Sequence, residues 1–290
     1  IYPNMDDYES VLLTCSGTGA VEAMLTSFIN DEKSLILANG VYGERMETIL
    51  ANQGKSFKTL NFGWLGSIDE KVVEDYLISD KKIKNLIMVH HETTTGRLNK
   101  LDAIGELCKK YDLDMYLDGV SSFGAEEILA NEINLKAVAA SANKCLHSAP
   151  GISFVLAHHD QWMKEQGKPL GVYFDLFKYY KMQSTNGFSP FTQATHIVAA
   201  FHQAIIEFIN DGGWTKRNEL FTNRANLISD SLYKSGVEPL IPLSEFSSVL
   251  RSYKLPENTK YSDLHTFMKA NGFIIYQGQG SFENEIFRIS

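Results

Sequence analysis

The sequence of this protein has few cysteines, and none of them is spaced for a disulfide framework or a metal site. Cys15, Cys108 and Cys145 are the three in 290 residues, an odd number without a CxxC pair. This usage suits a reducing compartment. We predict that Cys145 is a small buried apolar side chain, and the alternative is a reactive thiolate beside Lys144.

Long apolar runs and an excess of positive charge are also absent. No stretch approaches the roughly 18 consecutive apolar residues of a membrane span, and the N-terminal IYPNMDDYES lacks a basic-then-apolar signal pattern. The 27 Lys and Arg against 35 Asp and Glu give a formal net charge of -8, which argues against a general nucleic-acid-binding protein. We therefore expect a cytoplasmic protein that uses neither a membrane nor a nucleic acid as its partner.

Short apolar runs alternate with amphipathic stretches of helical length in the first half of the chain. The alternation indicates right-handed βαβ crossovers and an α/β fold, in which helices cover both faces of a mostly parallel sheet. The apolar runs are VLLT (11–14), SLILA (34–38), NLIMVHH (85–91), LDMYLD (113–118) and AVAAS (137–141).

The pattern changes after residue 157. Long periodic segments at about 192–210 and 214–234 predict two helices, and short strand candidates beyond them flank one further helix, YSDLHTFMKANG. This succession is typical of a smaller α+β unit. We predict a large domain over residues 1–212 and a small C-terminal α+β domain over residues 213–290, with the boundary near 210–215.

Polar and glycine-rich sequences follow the predicted strands, where parallel sheets bind ligands. In CSGTGAVEA (15–23), small residues between a strand and a helix let backbone N–H groups approach an anion at the positive end of the helix. The sequence is neither a Walker A loop nor a GxGxxG fingerprint. Ser16 and Thr18 could serve merely as helix caps, so phosphate binding stays one of two interpretations.

Two further strand ends carry aromatic and hydroxyl side chains. ANGVYGER (38–45) places Tyr42 between two glycines, able to lie flat on a planar ligand or simply to anchor a turn. HHETTTGRLN (90–99) offers Glu92, three threonines and two histidines as hydrogen-bonding groups. Adjacent histidines on a strand point to opposite faces and no third ligand has suitable spacing, so we expect no metal.

The last two strand ends carry opposite charges. Asp118 ends an apolar strand, where an isolated carboxylate must pair with a cation or cap a turn. Lys144 ends the next strand, within SANKCLHSAPG (141–151). A lysine at a strand end usually points into solvent, and an ordered one needs a partner or a chemical role.

Together these groups meet the requirements of pyridoxal 5'-phosphate. The helix start binds the phosphate, the aromatic ring stacks on the pyridine, the carboxylate keeps the ring nitrogen protonated, and the lysine forms a Schiff base with the aldehyde. We therefore predict a pyridoxal-phosphate enzyme.

The sequence resembles the fold-type I, class V aminotransferases, and among them the 2-aminoethylphosphonate:pyruvate aminotransferases. The resemblance rests on SGTGAVEA, ANGVYGER, VHHETTTGRLN, SSFG, SANKCLHSAPG and FRIS, which span residues 14–290. It implies a homodimer with shared active sites. It also implies a ping-pong reaction that converts 2-aminoethylphosphonate and pyruvate to phosphonoacetaldehyde and alanine.

The resemblance assigns a role to individual residues. Lys144 would hold the cofactor and move the substrate proton, Asp118 would pair with the pyridinium nitrogen, and Arg288 would clamp a carboxylate through a bidentate fork. Arg45 would hold the phosphonate or the site architecture, unless it lies on the helix surface. The remaining cofactor-binding positions are Ser16, Gly17, Thr18, Gly19 and Ala20 at the phosphate, Tyr42 at the ring, Thr93 at the phenolic oxygen, and Thr192 at the neighbouring subunit's phosphate.

The sequence departs from the family pattern in a few places. Cys15 and Gly119 replace small residues of other types, and we expect the chain to be incomplete at both ends, without the segment that lines the substrate entrance in relatives. Alternatives therefore stay open: an alanine:glyoxylate or serine:pyruvate aminotransferase, or an inactive fragment. A cysteine desulfurase needs a cysteine in the carboxyl-terminal third, whereas the last cysteine here is Cys145.

Overall fold

The computed structural model describes residues 1–164 and 171–290. Strands and helices alternate through most of the described chain. In order they are β1 (Tyr8–Leu13), α1 (Gly17–Phe28), β2 (Lys33–Ala38), α2 (Val41–Asn52), β3 (Phe57–Asn61), α3 (Glu70–Ser79), β4 (Ile83–Val89), β5 (His91–Glu92), β6 (Arg97–Leu98), α4 (Asp102–Tyr111), β7 (Asp114–Asp118), β8 (Leu135–Ser141), β9 (Ser153–His158), α5 (His159–Met163), α6 (Leu176–Asn186), α7 (Thr195–Asn210), α8 (Gly213–Lys234), β10 (Arg251–Lys254), α9 (Tyr261–Ala270), β11 (Tyr276–Gln277) and β12 (Ile286–Ile289).

The larger sheet confirms the predicted α/β class. Its seven strands lie in the order β1-β9-β8-β7-β4-β2-β3, and the five from β8 to β3 run parallel. Strand β1 pairs antiparallel with β9, so the sheet is mostly rather than wholly parallel, as predicted. Since β9 is itself antiparallel to β8, β1 points the same way as the parallel strands. Its carboxyl end therefore lies at the same edge of the sheet as theirs.

Alternate side chains of the central strands face opposite layers, as a pleated strand requires. On β4, Leu86 and Met88 pack with residues of α3 and α4, whereas Ile87 and Val89 pack with residues of α1 and α2. Both faces are covered, which is why the strand sequences are almost continuously apolar. The result is the predicted three-layer arrangement.

A second, antiparallel sheet lies in the C-terminal part, in the order β10-β12-β11. Its small core contains Tyr253, Ile275 and Phe287, packed against residues of α8 and α9. The predicted boundary between residues 212 and 213 falls between α7 and α8. Gly212 and Gly213 there have φ of 95° and 71°, values in the left-handed region that favours glycine.

A buried carboxylate joins the loop after β7 to the chain that enters the small sheet. Glu126 accepts hydrogen bonds from Ser247 Oγ at 2.6 Å and from Ser248 N at 2.7 Å. Nearby, Arg97 of β6 forms an ion pair with Glu245. These contacts fix the small sheet against the edge of the large sheet where the strands end.

The cysteines are buried or half-buried, and their environment does not favour a reactive thiolate. Burial raises the pKa of the Cys145 thiol to about 12 and that of Cys15 to about 11, so the neutral thiol dominates near neutral pH. This agrees with the predicted apolar role of Cys145 and disfavours a reactive thiolate. In the described ranges 1–164 and 171–290, no helix is long and apolar enough to cross a membrane.

Candidate active site

Two adjoining cavities lie at the edge of the large sheet where the parallel strands end. The smaller, of about 30 Å³, contains Asp118 and Tyr42 in its lining, and the larger, of about 590 Å³, contains Thr93 and Lys144. His91 lines both cavities, so it stands in the wall between them. The strand ends therefore bring together the aromatic, hydroxyl, acidic and basic groups that the sequence predicted.

The start of α1 presents backbone N–H groups beside the smaller cavity. Ser16 is the N-cap residue, and its side chain makes no capping hydrogen bond, so the hydroxyl is available to a ligand. A Cβ atom on Gly17 would lie 2.6 Å from Cγ1 of Val120, which lines this cavity. Glycine thus lets the helix start approach the cavity closely, as an anion site requires.

The first turn of α2 carries Tyr42 and Arg45 into the smaller cavity. The Arg45 guanidinium carbon lies 4.7 Å from the centre of the Tyr42 ring, within cation–π distance. Arg45 Nη1 also donates to Thr18 Oγ1 at 3.2 Å. Arg45 therefore belongs to the site and links α1 to α2, in contrast to the alternative of a helix-surface arginine.

Glu92 holds the start of α2 against the end of β4. Its Oε2 accepts from the backbone N–H groups of Tyr42 and Gly43 at 3.2 and 3.3 Å, and its Oε1 accepts from Thr94 Oγ1 at 2.6 Å. A Cβ atom on Gly40 would lie 2.3 Å from Glu92 Cδ. The contact of Glu92 with α2 therefore requires glycine at position 40.

Asp118 is a buried carboxyl whose protonation equilibrium differs strongly from that of an exposed aspartate. Burial raises its pKa to about 6, while a hydrogen bond from Val120 N at 3.0 Å and the charges of Arg45 and Lys144 act in the opposite direction. These contacts do not fully offset the free energy of burying the charged carboxylate. A cationic ligand beside Asp118 is therefore favoured.

Lys144 lies in the loop that follows β8. Ala142 N donates to Ile152 O at 3.1 Å and Ser148 N donates to Ala142 O at 2.9 Å, so both arms of the loop are fixed. Asn143, adjacent to Lys144, also lines the larger cavity. The lysine side chain is exposed to that cavity while its backbone is held.

Arg288, on β12 of the small sheet, contacts the backbone of Thr93, although Arg288 itself is not among the described lining residues of either cavity. Its Nε donates to Gln277 O at 2.9 Å and its Nη1 donates to Thr93 O at 2.8 Å. The guanidinium is thus tied to the backbone beside Thr93. Both contacts are to neutral carbonyl groups, which leaves the positive charge available for an anion.

Thr192 lies apart from the other predicted residues. It is exposed, and neither cavity includes it among its described lining residues. The adjacent Gln193 accepts from Thr14 Oγ1 at 2.6 Å, which places this loop near the end of β1. Thr192 therefore does not face the cavities of its own chain.

The predicted site residues did not include Glu92, His91 or Asn143. Glu92 and His91 stood out as polar groups at a strand end, but their contacts depend on segments distant along the chain. For Glu92 the available signal was the glycine at position 40, which precedes a predicted helix that has no side-chain cap of its own. For Asn143 it was the position next to Lys144.

The chain matches the aminotransferase class-V family over residues 4–281. The chain belongs to this family. It is 35% identical over 98% of its length to a 2-aminoethylphosphonate--pyruvate transaminase of Klebsiella pneumoniae, covering 78% of that protein. It is 36% identical over 95% of its length to a bifunctional phosphonoacetaldehyde hydrolase/aminoethylphosphonate transaminase of Clostridioides difficile. The chain spans 44% of that relative's length.

Solved structures of the same fold agree. An aspartate aminotransferase of Thermus thermophilus superposes with a TM-score of 0.88 at 26% identity, covering 97% of this chain and 78% of that one. A pyridoxamine-pyruvate aminotransferase of Mesorhizobium loti superposes with a TM-score of 0.89 at 22% identity, covering 97% and 73%. The latter likeness shows the fold alone.

Class V aminotransferases depend on pyridoxal 5'-phosphate, and this chain fits that cofactor. The open start of α1 suits its phosphate, the Tyr42 ring suits its planar ring, and the buried carboxyl of Asp118 suits a protonated ring nitrogen.

Within residues 1–164 and 171–290, no group of three or more His, Cys, Asp or Glu is arranged to hold a metal ion.

The Glu92 contacts generate a first prediction. Glu92→Gln places an amide N–H₂ group where one carboxylate oxygen accepts hydrogen bonds, so the free energy of unfolding should fall by about 2 kcal/mol. Chemical denaturation measures this change. Glu47→Gln, on the same helix α2, is the matched control and should change stability by less than about 0.5 kcal/mol. Equal effects of the two variants would contradict the capping role of Glu92.

Proposed function

We propose that this protein transfers the amino group of 2-aminoethylphosphonate to pyruvate, giving phosphonoacetaldehyde and alanine. The observation that carries the proposal is similarity over nearly the whole chain to relatives named for this reaction, at 35–36% identity. The charge of the larger cavity supports it. The described lining includes Lys144, Arg224 and Arg251 but no Asp or Glu, which favours anionic substrates.

The residues around the smaller cavity hold the cofactor in this proposal. Bound pyridoxal 5'-phosphate supplies an electron sink for the bond that is broken at the substrate carbon. The backbone at Gly17, Thr18, Gly19 and Ala20, with the Ser16 hydroxyl, holds its phosphate. Tyr42 stacks on the ring, Asp118 keeps the ring nitrogen protonated, and Thr93 binds the phenolic oxygen.

Lys144 moves the proton. Its Nζ would hold the cofactor at rest and, when displaced by the substrate amine, would take a proton from the carbon that bears this amine and deliver it to the cofactor carbon that receives the amino group. Lys144 suits both tasks because its side chain is exposed to the larger cavity while its loop is fixed by backbone hydrogen bonds. A positioned base needs this combination of reach and restraint.

Arg288 and Arg45 bind the anionic ends of the substrates in this proposal. The contacts of Arg288 with the carbonyls of Gln277 and Thr93 orient its guanidinium beside the lysine cavity, where it can bind the carboxylate of pyruvate or alanine. Arg45, held against Tyr42 and Thr18, neutralises either a phosphate or a phosphonate group. The acyclic substrates then bind one after the other in the same cavity.

A half-reaction tests the proposed activity. Without pyruvate, the protein loaded with pyridoxal phosphate should convert one equivalent of 2-aminoethylphosphonate to phosphonoacetaldehyde, and alanine or serine should react much more slowly as first donor. Lys144→Ala should lower the rate by about a thousandfold, because the proton acceptor is lost. Product formation and the visible absorbance of the cofactor measure both expectations.

Lys136→Ala is the matched control for this experiment, because Lys136 lies on the same strand β8, away from the carboxyl end that leads to Lys144. It should react as the unmodified protein does. Faster reaction with alanine and glyoxylate than with 2-aminoethylphosphonate would instead support an alanine:glyoxylate aminotransferase. Normal turnover by Lys144→Ala would overturn the assignment of the lysine.

The position of Arg288 generates a further prediction. Arg288→Lys keeps the positive charge but loses the planar fork, so it cannot donate to Gln277 O and Thr93 O and still bind a carboxylate through two N–H groups. The KM for pyruvate should rise about tenfold, with a smaller change in kcat. Steady-state kinetics at varied pyruvate measure this. An unchanged KM would show that Arg288 does not bind the carboxylate.

We also propose that the protein is a homodimer with shared active sites. We further propose that each chain divides into a large domain, residues 1–212, and a small domain, residues 213–290. The support for the dimer is the exposed Thr192, which faces neither cavity of its own chain and is therefore free to reach the cofactor phosphate of a second subunit. Sedimentation equilibrium should give twice the mass of 32.6 kDa. A monomer that binds the cofactor as tightly as expected for a complete site would contradict the proposal of a shared active site.

A further inference from the structure

Two adjacent histidines at the end of β4 are buried to the same extent but differ in what they face. His90 is 3% exposed and His91 is 2% exposed. The His90 ring contacts Ser122 Oγ at 3.0 Å, and His90 is not among the described residues that line either cavity. His91 lines both. His90 lies at the bend between β4 and β5, whereas His91 begins β5, so the two rings have different neighbours.

The hydrogen bond of His91 fixes which ring nitrogen carries the proton. His91 Nδ1 lies 2.9 Å from the backbone oxygen of Ser121. A carbonyl oxygen only accepts, so Nδ1 must donate. Burial lowers the pKa of His91 to about 4, against the opposing effect of the Ser121 contact, and the nearby charge of Lys144 lowers it further. The ring is therefore neutral near pH 7, and Nε2 carries a lone pair.

This Nε2 atom is a buried acceptor without a donor. Within residues 1–164 and 171–290, it has no hydrogen-bond partner. A buried polar group left unpaired costs free energy, on the order of 1–3 kcal/mol. His91 lies between the smaller cavity and the larger cavity. A ligand that places a hydrogen-bond donor beside Nε2 therefore relieves that cost.

The chemistry of the ligands identifies the donor. The phosphate, phosphonate and carboxylate groups of the cofactor and substrates present mainly acceptor oxygens near neutral pH, and the phenolic oxygen of the cofactor is bound by Thr93 in the proposed function. The protonated ring nitrogen is matched by Asp118 in the proposed function. The amino group that is being transferred carries N–H groups while it is on the cofactor, whereas in the resting form the nitrogen in its place is Lys144 Nζ, whose covalent link leaves it at most one N–H.

We propose that His91 is a positioning residue whose Nε2 accepts a hydrogen bond from the transferred amino group while that group is on the cofactor. The inference rests on the proposed aminotransferase function. It assigns His91 a preference for the amine form of the cofactor over the aldehyde form, so that the enzyme stores the amino group until the second substrate arrives.

Binding of the two cofactor forms tests this inference without any substrate. Protein freed of cofactor is titrated with pyridoxamine 5'-phosphate and, separately, with pyridoxal 5'-phosphate. His91→Phe, which keeps an aromatic ring and removes the acceptor, should weaken binding of the amine form about tenfold and that of the aldehyde form by less than about twofold. His91→Leu, a smaller apolar replacement, should behave in the same way, so the result does not depend on one variant folding.

Two matched variants complete the design. His91→Gln can offer its Oε1 as an acceptor and should recover most of the affinity for the amine form. His90→Phe alters the neighbouring buried histidine outside the cavities and should leave the ratio of the two affinities unchanged. Equal weakening of both forms by His91→Phe, or no weakening, would overturn the inference. Either result would leave the activity with 2-aminoethylphosphonate, measured separately, unaffected.

Discussion

The arrangement of the site depends on the contact between the Glu92 carboxylate and the start of α2. One oxygen of this side chain accepts from Thr94, in the turn between β5 and β6, and the other accepts from the backbone of Tyr42 and Gly43. An aromatic ring and a guanidinium on the first turn of α2 are thereby fixed relative to the strand ends. The absence of a side chain at Gly40 makes the approach possible.

Electrostatics at the strand ends prepare the site for a cation. Glu92 and Asp118 are both buried, burial raises the pKa of each carboxyl, and the charge of Asp118 raises the pKa of Glu92 further. Glu92 is stabilised as an acceptor by neutral donors, whereas Asp118 has one backbone donor and only the field of Arg45 and Lys144. Burial of the Asp118 carboxylate is therefore less fully compensated than that of Glu92. A carboxylate in this situation favours a cation as its partner.

Hydrophobic periodicity was sufficient to predict the helices and central strands, because burial on both faces of a parallel sheet leaves a clear pattern. The pairing of β1 was not predictable, since an apolar strand does not show the direction of its neighbour. This pairing does not move the site, because two successive antiparallel pairings return β1 to the direction of β8. The contacts of Glu92 and His91 could not be predicted, as each joins segments that are distant in the sequence and meet only in the fold.

Arg288 shows how contacts remote from the chemistry determine the substrate site. Its guanidinium is tied to Thr93 of the large sheet's edge, although the residue itself belongs to the small sheet. The distance between Arg288 and Thr93 therefore depends on the interactions that join the small sheet to the edge of the large sheet. These are the hydrogen bonds of Glu126 with Ser247 and Ser248 and the ion pair of Arg97 with Glu245. Glu126 is buried and accepts both from the short loop of Ser247 and Ser248 and from Asn218 Nδ2 of α8 at 3.1 Å, so the loop has little freedom to shift. An arginine held in this way needs little rearrangement to bind an anion, which reduces the entropy that binding must overcome.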